Sequence, residues 1–340
     1  MDVKQLRALV TVAEVGSVTR AAALLHLVQP AVTRQIRSLE HELGVPLFER
    51  SRQGMLPTEA GLIMVDRARR ALGELERARA EVRPVSGAVS GTVTVGLLDS
   101  TSDLLAAPLA AALAQHHPGV ELRLVTAYSG HLKRWLADGQ LDLTLLYDLP
   151  GTMASLITRA LVRERLWAVA PPTEDLPAGP TVSFAELARH PLVLPTPGHA
   201  LRSLIDTAAA AAGVRLAVAV QSDSMRVQKQ LVLAGHGWTV LPEVGLSRDT
   251  AEEAVRALPL GEPSVWRSVV LATARSARAT PAVEAVAHAL IHAVTTAVRH
   301  GHWPSARTPE HEARACGGHR GGEEANGPRG LPRADGACDR

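Results

Sequence analysis

The chain has 340 residues, with 36 basic against 34 acidic side chains and a formal net charge of +2. Near-neutrality excludes a protein coated in positive charge, so nucleic-acid binding would have to come from a local patch, and the length exceeds one typical domain. Both cysteines, Cys316 and Cys338, lie in the last 25 residues, which leaves the body of the chain without a disulfide and points to the cytoplasm. No unbroken run of 18 apolar residues offers a membrane span, and Asp2, Lys4, Arg7 and Glu14 break any signal-peptide pattern at the start.

Leu6, Leu9, Val10 and Ala13 recur at helical spacing and predict a first amphipathic helix. Val18, Ala21, Ala22 and Leu25 line a second, short helix, and a tight connection over 25–28 leads to a third. There Val32, Ile36, Leu39 and Leu43 stand four, three and four residues apart, while Gln29, Thr33, Arg34 and Arg37 occupy the opposite face. Pro30 falls where a first helical turn tolerates a missing N–H. A buried seam behind a small-polar and arginine face suits a helix lying in a DNA major groove; the plain alternative is a surface helix with solvated charges. Val28, just before this helix, has no side-chain acceptor, and a missing N-cap costs about 1 kcal/mol. Leu47–Phe48 and Met55–Leu56, around Gly54, predict two short strands that carry Arg50 and Arg52. The arrangement is a winged helix-turn-helix. Base edges fall to Gln29, Thr33 and Arg34; Arg37, Arg50 and Arg52 are phosphate or minor-groove candidates, with Pro30 opening the helix.

Thr58 is a candidate N-cap for one long helix reaching about residue 83. Gly61, Val65, Ala68, Leu72, Leu75, Arg79 and Val82 alternate at four-three spacing, flanked by Glu74, Glu76, Arg77 and Glu81. That is the seam of a coiled coil, and a dimer or tetramer is expected; the competing reading packs the helix on its own domain. Pro84 ends it, and residues 85–91, VSGAVSG, form a small-residue hinge.

From Thr92 the period changes. Strands at 92–98, 120–126 and 141–148 alternate with helices, and a second round follows from Leu166. A late strand at 266–273 and a helix from Pro281 to about Arg299 close the pattern. Such alternation predicts a largely parallel, helix-covered sheet in two subdomains. Small hydroxyls follow the strands: Ser100, Thr101 and Ser102; Ser129; Thr196; Ser222 and Ser224. Each alone reads as a helix cap, but their recurrence suggests a shared cleft at helix N-termini, rimmed by His131, Tyr147, Asp148 and His199. Hydroxyls without an arginine clamp suit a small polar metabolite such as a carboxylate, an amide or a neutral molecule; Arg202 is the nearest cation. No nucleophile elbow, phosphate loop or H-E-x-x-H motif is present, so the chain is read as no enzyme, with no cofactor and no metal. His288 with His292, and Cys316 with His319, fall short of a ligand set. Residues 301–340, with eight Gly, four Pro and balanced charge, are expected to be disordered.

The first 65 residues resemble the LysR-type transcriptional regulators. The resemblance rests on the Ala21–Ala22 pair, QPAVTRQIRSLE at 29–40, LG at 43–44, LFER at 47–50 and TEAG at 58–61. It extends over roughly the first 300 residues and, within the family, points to the branch typified by nitrogen-assimilation control regulators. Many members carry Ser or Thr at the position of Val28, so that phosphate contact does not transfer. The resemblance implies an α+β multidomain protein: a winged helix-turn-helix domain at 1–58, a linker helix and hinge at 59–90, and an α/β effector domain at 91–300. That last domain would be periplasmic-binding-protein-like, with subdomain I at about 91–165 and 267–300 and subdomain II at about 166–266. It also implies paired linker helices, double-stranded DNA as partner, and a small-molecule effector that modulates operator binding. The rivals are a cytosolic small-molecule-binding protein whose N-terminal helices are only an interaction module, and a cytosolic enzyme on the same sheet.

Overall fold

The computed structural model describes residues 1–51, 54–82, 89–148, 155–246, 255–275 and 280–309. Arg52, most of the 85–91 hinge, and the tail from residue 310, with Cys316, His319 and Cys338, lie outside the described residues.

Three helices, α1 (Val3–Val15), α2 (Val18–Leu24) and α3 (Gln29–Leu43), open the chain. Asp2 and Gln5 form a reciprocal capping box on α1, and Ser17 caps α2, each satisfying first-turn N–H groups. Their apolar faces, among them Leu9, Val12, Ala21, Val32 and Leu39, are fully buried in one core. The wing strands β1 (Phe48–Ser51) and β2 (Gly54–Pro57) pair antiparallel. Glu40 of α3 holds the wing from beneath, its Oε1 accepting from the N–H groups of Leu47 and Phe48 at 2.8 and 3.2 Å. Met55 N–H donates to the Gly16 carbonyl at 2.9 Å. That approach requires glycine at 54, with φ of +119° and a Cβ that would stand 2.4 Å from the Gly16 oxygen.

Thr58 starts α4 (Glu59–Val82), accepting from Gly61 N–H at 3.0 Å. The expected coiled-coil seam divides. Val65 and Ala68 are buried, and Leu72 packs with them on the N-terminal core, where α4 runs along α1. The first half of the seam is thus an intrachain contact, because α1 offers an apolar face at the right distance. Leu62, Ile63 and Leu75 are instead exposed, at 60, 61 and 42 %. The side chains of Arg79 and Val82 lie outside the described part.

The remainder is built on one mixed sheet. Strands β3 (Ser90–Leu98), β4 (Gly119–Ala127) and β5 (Leu143–Tyr147) are parallel, joined through α5 (Asp99–His116) and α6 (Ser129–Ala137). The sheet is less parallel than the sequence suggests, because β6 (Leu156–Ala170) and β11 (Trp266–Ala274) enter antiparallel. The first part of β6, from Leu156 to Arg165, pairs with β11; Leu166 to Val169 pair with β9 (Thr239–Pro242), and Trp167 to Ala170 with β10 (Arg256–Pro259). One 15-residue strand therefore serves both halves. Around β9 lie α7 (Phe184–Leu187), β7 (Leu192–Leu194), α8 (Ala200–Ala211), β8 (Val218–Gln221) and α9 (Met225–Leu233), with β7 and β8 parallel.

The closing helix α10 (Pro281–Arg299) is long and apolar enough to cross a membrane by length and composition, with mean hydropathy 1.3. Its apolar face, including Val286, Leu290 and Val294, is buried in the core of this domain. The expectation of disorder from residue 301 is corrected for 301–309. Ala306 and Arg307 form β12 on the edge of β6, and Trp303 is 1 % exposed, because its ring fills the end of the core.

Candidate DNA face and effector cleft

The outward face of α3 carries Gln29, Pro30, Arg34 and Arg37, all exposed. The seam behind it is buried through Leu39, with Val32 and Leu39 at 0 % and Ile36 at 4 %, while Leu43, the last expected member at the helix end, is 40 % exposed. Val28 holds an extended N-cap geometry without a side-chain bond; its carbonyl accepts from Ala31 and Val32 N–H at 2.9 and 3.4 Å, and Pro30 has no N–H to satisfy. Thr33 turns its hydroxyl onto the Gln29 carbonyl at 3.1 Å, whereas Gln29, Arg34 and Arg37 have no side-chain hydrogen bond among the described residues. The Arg50 backbone pairs with Met55 in the wing; its side chain, like Arg52, lies outside the described part.

The hydroxyls expected to share a cleft separate on inspection. Ser100 alone lines the cleft between α5, α6, α8 and α9. Thr101, fully buried, donates to the Leu98 carbonyl at 3.0 Å, and Ser102 donates to the Asp99 carbonyl at 2.8 Å. Ser129 is buried and accepts from Tyr147 N–H at 3.0 Å. Ser222 accepts from Ser224 N–H at 3.3 Å, while Ser224 caps α9 through Val227 N–H at 3.4 Å. Thr196 directs both its N–H and its hydroxyl to Asp223 at 2.9 Å. Thr101 and Ser102 spend their O–H on their own helix and Thr196 on Asp223, while Ser129, Ser222 and Ser224 are held by backbone N–H groups outside the lining, so the recurrent motif yields one lining residue rather than seven. Of the expected rim, Tyr147 and His199 line the cleft; His131 and Asp148 do not. Arg202 is engaged by Asp206 at 2.8 Å and the Pro195 carbonyl at 2.9 Å.

Sequence reasoning missed Asp99, Tyr128, Asp223 and Gln228 in the lining. It also missed what lies behind Ser100. Arg267 and Glu164 stand opposite each other across β11 and β6 and form an ion pair at 0 % side-chain exposure. Arg267 also donates to the Tyr147 hydroxyl, and to Ser100 Oγ at 3.0 Å; Trp303 Nε1 donates to the other Glu164 oxygen at 2.8 Å. The guanidinium lies 4.6 Å from the Tyr147 ring centre. Burial pushes the Tyr147 phenol up, against the pull of Arg267, so the ring stays neutral. A charge inside the otherwise apolar strand WRSVVLAT flags Arg267, but its partner is visible only once the strand register is known.

His199 caps α8, its Nδ1 accepting from Leu201 N–H at 3.1 Å. Burial, ahead of the opposing pull of Asp223, holds it below the ordinary histidine range. Tyr128 stacks against His199 at 4.8 Å and His131 at 4.2 Å. Tyr128 is the N-cap of α6; at the other end of that helix, its C-cap Asp138 reaches α4. Arg70 bonds Asp66 at 2.6 Å and Asp138 at 3.5 Å, and Gln140 donates to Asp66 at 2.9 Å. Helix α6 thus spans from the cleft to the long helix.

Residues 3–62 match the family described as bacterial regulatory helix-turn-helix protein, lysR family, and residues 86–295 match the LysR substrate binding domain. The HTH-type transcriptional regulator BbuR of Bordetella bronchiseptica is 31% identical over 304 residues, 89% of this chain and 93% of that protein. The nitrogen assimilation regulatory protein nac of Escherichia coli is 29% identical over 299 residues, 88% and 97% of the two chains. Other regulators stand at the same level, including OxyR of Escherichia coli at 30%, so identity does not single out the nitrogen-assimilation branch. A full-length OxyR variant from Pseudomonas aeruginosa superposes with a TM-score of 0.64 at 25% identity, covering 86% of this chain and 94% of that one. CbnR complexed with its target DNA shares the fold, with a TM-score of 0.63 at 21% identity over 86% and 100% of the two chains.

Proposed function

The chain belongs to the LysR family of DNA-binding transcriptional regulators with an effector-binding domain, and from that premise we propose how its own residues divide the work. Base edges are read by Gln29 and Arg34 on α3, with Arg37, Arg50 and Arg52 on phosphates or in the minor groove. The observation that carries this is the exposed, unengaged face of Gln29, Arg34 and Arg37 over a seam buried through Leu39. Thr33 has already spent its hydroxyl on Gln29, so its share reduces to its methyl group, which suits a thymine methyl.

Residues 1–58 form the DNA-binding unit, 59–90 the linker and hinge, and 91–300 the sensor, extended here to 309 by Trp303 and β12. Two chains associate through the solvent face of α4, where Leu62, Ile63 and Leu75 stand uncovered; an α4 pair would set the spacing of two recognition helices on an inverted repeat. A small polar metabolite enters the cleft and draws its walls together. Helix α6, capped by Tyr128 at the cleft and by Asp138 at α4, passes that movement to the linker. The protein acts in the cytoplasm and binds rather than turns over its effector: the cleft holds no nucleophile paired with a base, since Ser100 is tied to Arg267 and not to His199.

The test is a footprint on the DNA upstream of the chain's own gene, with Arg34→Ala alongside. Protection by the unaltered protein over two patches a helical turn or its multiple apart, lost in the variant, is expected. Equal affinity of both proteins for operator and random DNA would overturn the assignment of Arg34.

A further inference from the structure

Among the described residues the cleft lining holds two carboxylates, Asp99 and Asp223, and no lysine or arginine. Both aspartates are solvent-exposed. Asp223 is oriented by the N–H and hydroxyl of Thr196, each at 2.9 Å. Of the neighbouring cations among the described residues, Arg267 is 1 % exposed and bound to Glu164, Tyr147 and Ser100, Arg202 is bound to Asp206, and Arg226 in the first turn of α9 is exposed and outside the lining. Two tyrosines, Tyr128 and Tyr147, complete the wall; Tyr147 already carries the Arg267 guanidinium against its ring and Tyr128 lies against His131 and His199, so they act here as walls.

Helix N-termini work in the opposite direction. Each brings roughly half a positive charge, and α5, α6, α8 and α9 all begin at this cleft, but only the ends of α5 and α9 carry a carboxylate. A full carboxylate stands at each of those two ends, Asp99 in the first turn of α5 and Asp223 just before the α9 cap. The carboxylates outweigh the dipoles they sit on, so a free anion meets like charge there. An independent observation is His199, 7 % exposed and lining the same cleft. Its Nδ1 accepts from Leu201, which leaves the proton of the neutral ring on Nε2. That N–H has no hydrogen-bond partner among the described residues.

We propose that the effector is a small organic cation, a protonated amine or amidine, seated between Asp99, Asp223 and the two tyrosine rings, with a hydrogen-bond acceptor placed against His199 Nε2. This rests on the reading of the cleft as the effector site, and it departs from the small carboxylate, amide or neutral metabolite expected from the sequence. An amino-acid-like molecule satisfies it only through its ammonium group. A dicarboxylate does not.

The experiment compares charge-matched probes on the full chain by thermal shift and calorimetric titration. Tyramine and agmatine form the cationic set; 3-(4-hydroxyphenyl)propionate, of matching ring and chain, and glutarate form the anionic set. The expected result is a raised Tm with at least one amine and none with the carboxylates, and an amine affinity that drops about tenfold or more in Asp223→Asn. That variant retains an acceptor for Thr196, and Asp99→Asn serves as the second, independent test. Carboxylates that bind while amines do not, with affinity rising in Asp223→Asn, would overturn the cationic class yet keep the cleft as effector site. Shifts indifferent to Asp99→Asn, Asp223→Asn and His199→Gln alike, or silence of both probe sets at millimolar concentration, would overturn the cleft reading together with the proposal.

Discussion

Replacing Glu164 by Gln tests the buried centre of the sensor domain. Glu164 and Arg267 have no exposed side-chain surface, and one strand residue faces the other across the β6–β11 ladder. A buried pair adds little net stability over apolar residues, but removal of one partner costs about 3–5 kcal/mol because the other charge is left uncompensated. The choice of residue matters. An orphaned Glu164 could take up a proton, whereas an orphaned guanidinium cannot release one, so Glu164→Gln cannot escape the penalty by titration. Ser100 and Tyr147 still accept from Arg267, which keeps the cost at the lower end of the range. For a domain of this size each kcal/mol moves Tm by about 2–4 °C, so a fall of roughly 6–15 °C is expected for the sensor transition in differential scanning calorimetry. The double variant Glu164→Leu with Arg267→Met should recover much of it. A single-variant Tm within about 2 °C of the parent, or a double variant less stable than the single, would refute the reasoning.

The other expectations follow from separate features. Arg34→Ala should weaken operator binding by about 1–3 kcal/mol and relax preference at one base pair, while Arg37→Ala should weaken all sequences alike and flatten the salt slope, as gel-shift titrations at several salt concentrations will report. Leu62→Glu combined with Ile63→Glu puts charge on the exposed face of α4 and should give a monomer by analytical ultracentrifugation; an unchanged mass would locate the oligomer contact elsewhere. Gly54→Ala meets both a positive φ and the Gly16 carbonyl, and a loss of about 1–3 kcal/mol in the N-terminal domain is expected from urea unfolding. His199 is held below the usual histidine range by burial. Above about pH 6.5 neither state binds its proton; as pH falls through that value the unfolded chain protonates first, so the stability His199 confers is lost on acidification. His199→Asn keeps an N-cap and should flatten the Tm–pH curve below that point; parallel curves would contradict it.

What could be read in the sequence follows the range of the interactions involved. The three N-terminal helices, the wing and the Thr58 cap depend on spacing and caps within a few residues, and α3 has its apolar seam and polar face where periodicity puts them. The α4 seam marks the limit of that argument: an apolar stripe states that something covers it, and Val65 and Ala68 are covered by α1 rather than by a second helix. Strand β6 was legible only from Leu166 because Arg159, Arg163, Glu164 and Arg165 disguise its first part. In that stretch Glu164 faces Arg267, and Arg163 lies 5.5 Å from the Trp266 ring, so two of the four charges that look like a loop are answered by the neighbouring strand.

The cleft shows the same limit at the level of chemistry. Ser and Thr at strand ends stand at helix ends, yet that local role ties Thr101, Ser102 and Ser224 to neighbouring backbone and keeps them out of the lining. The groups left facing the cleft, Asp99, Tyr128, Asp223 and His199, come from four separate chain segments that only the tertiary fold brings together. Trp303 carries the point furthest. Averaged with the glycines and charges of residues 301–340 it disappears into a composition typical of disorder, but a single large ring two residues after a helix-ending glycine is enough to anchor β12 and to supply the second hydrogen bond to Glu164. Composition measures what a segment can bury alone. Whether a neighbouring domain has a place for one side chain is a property of that domain, and here the place is the ion pair behind the effector cleft.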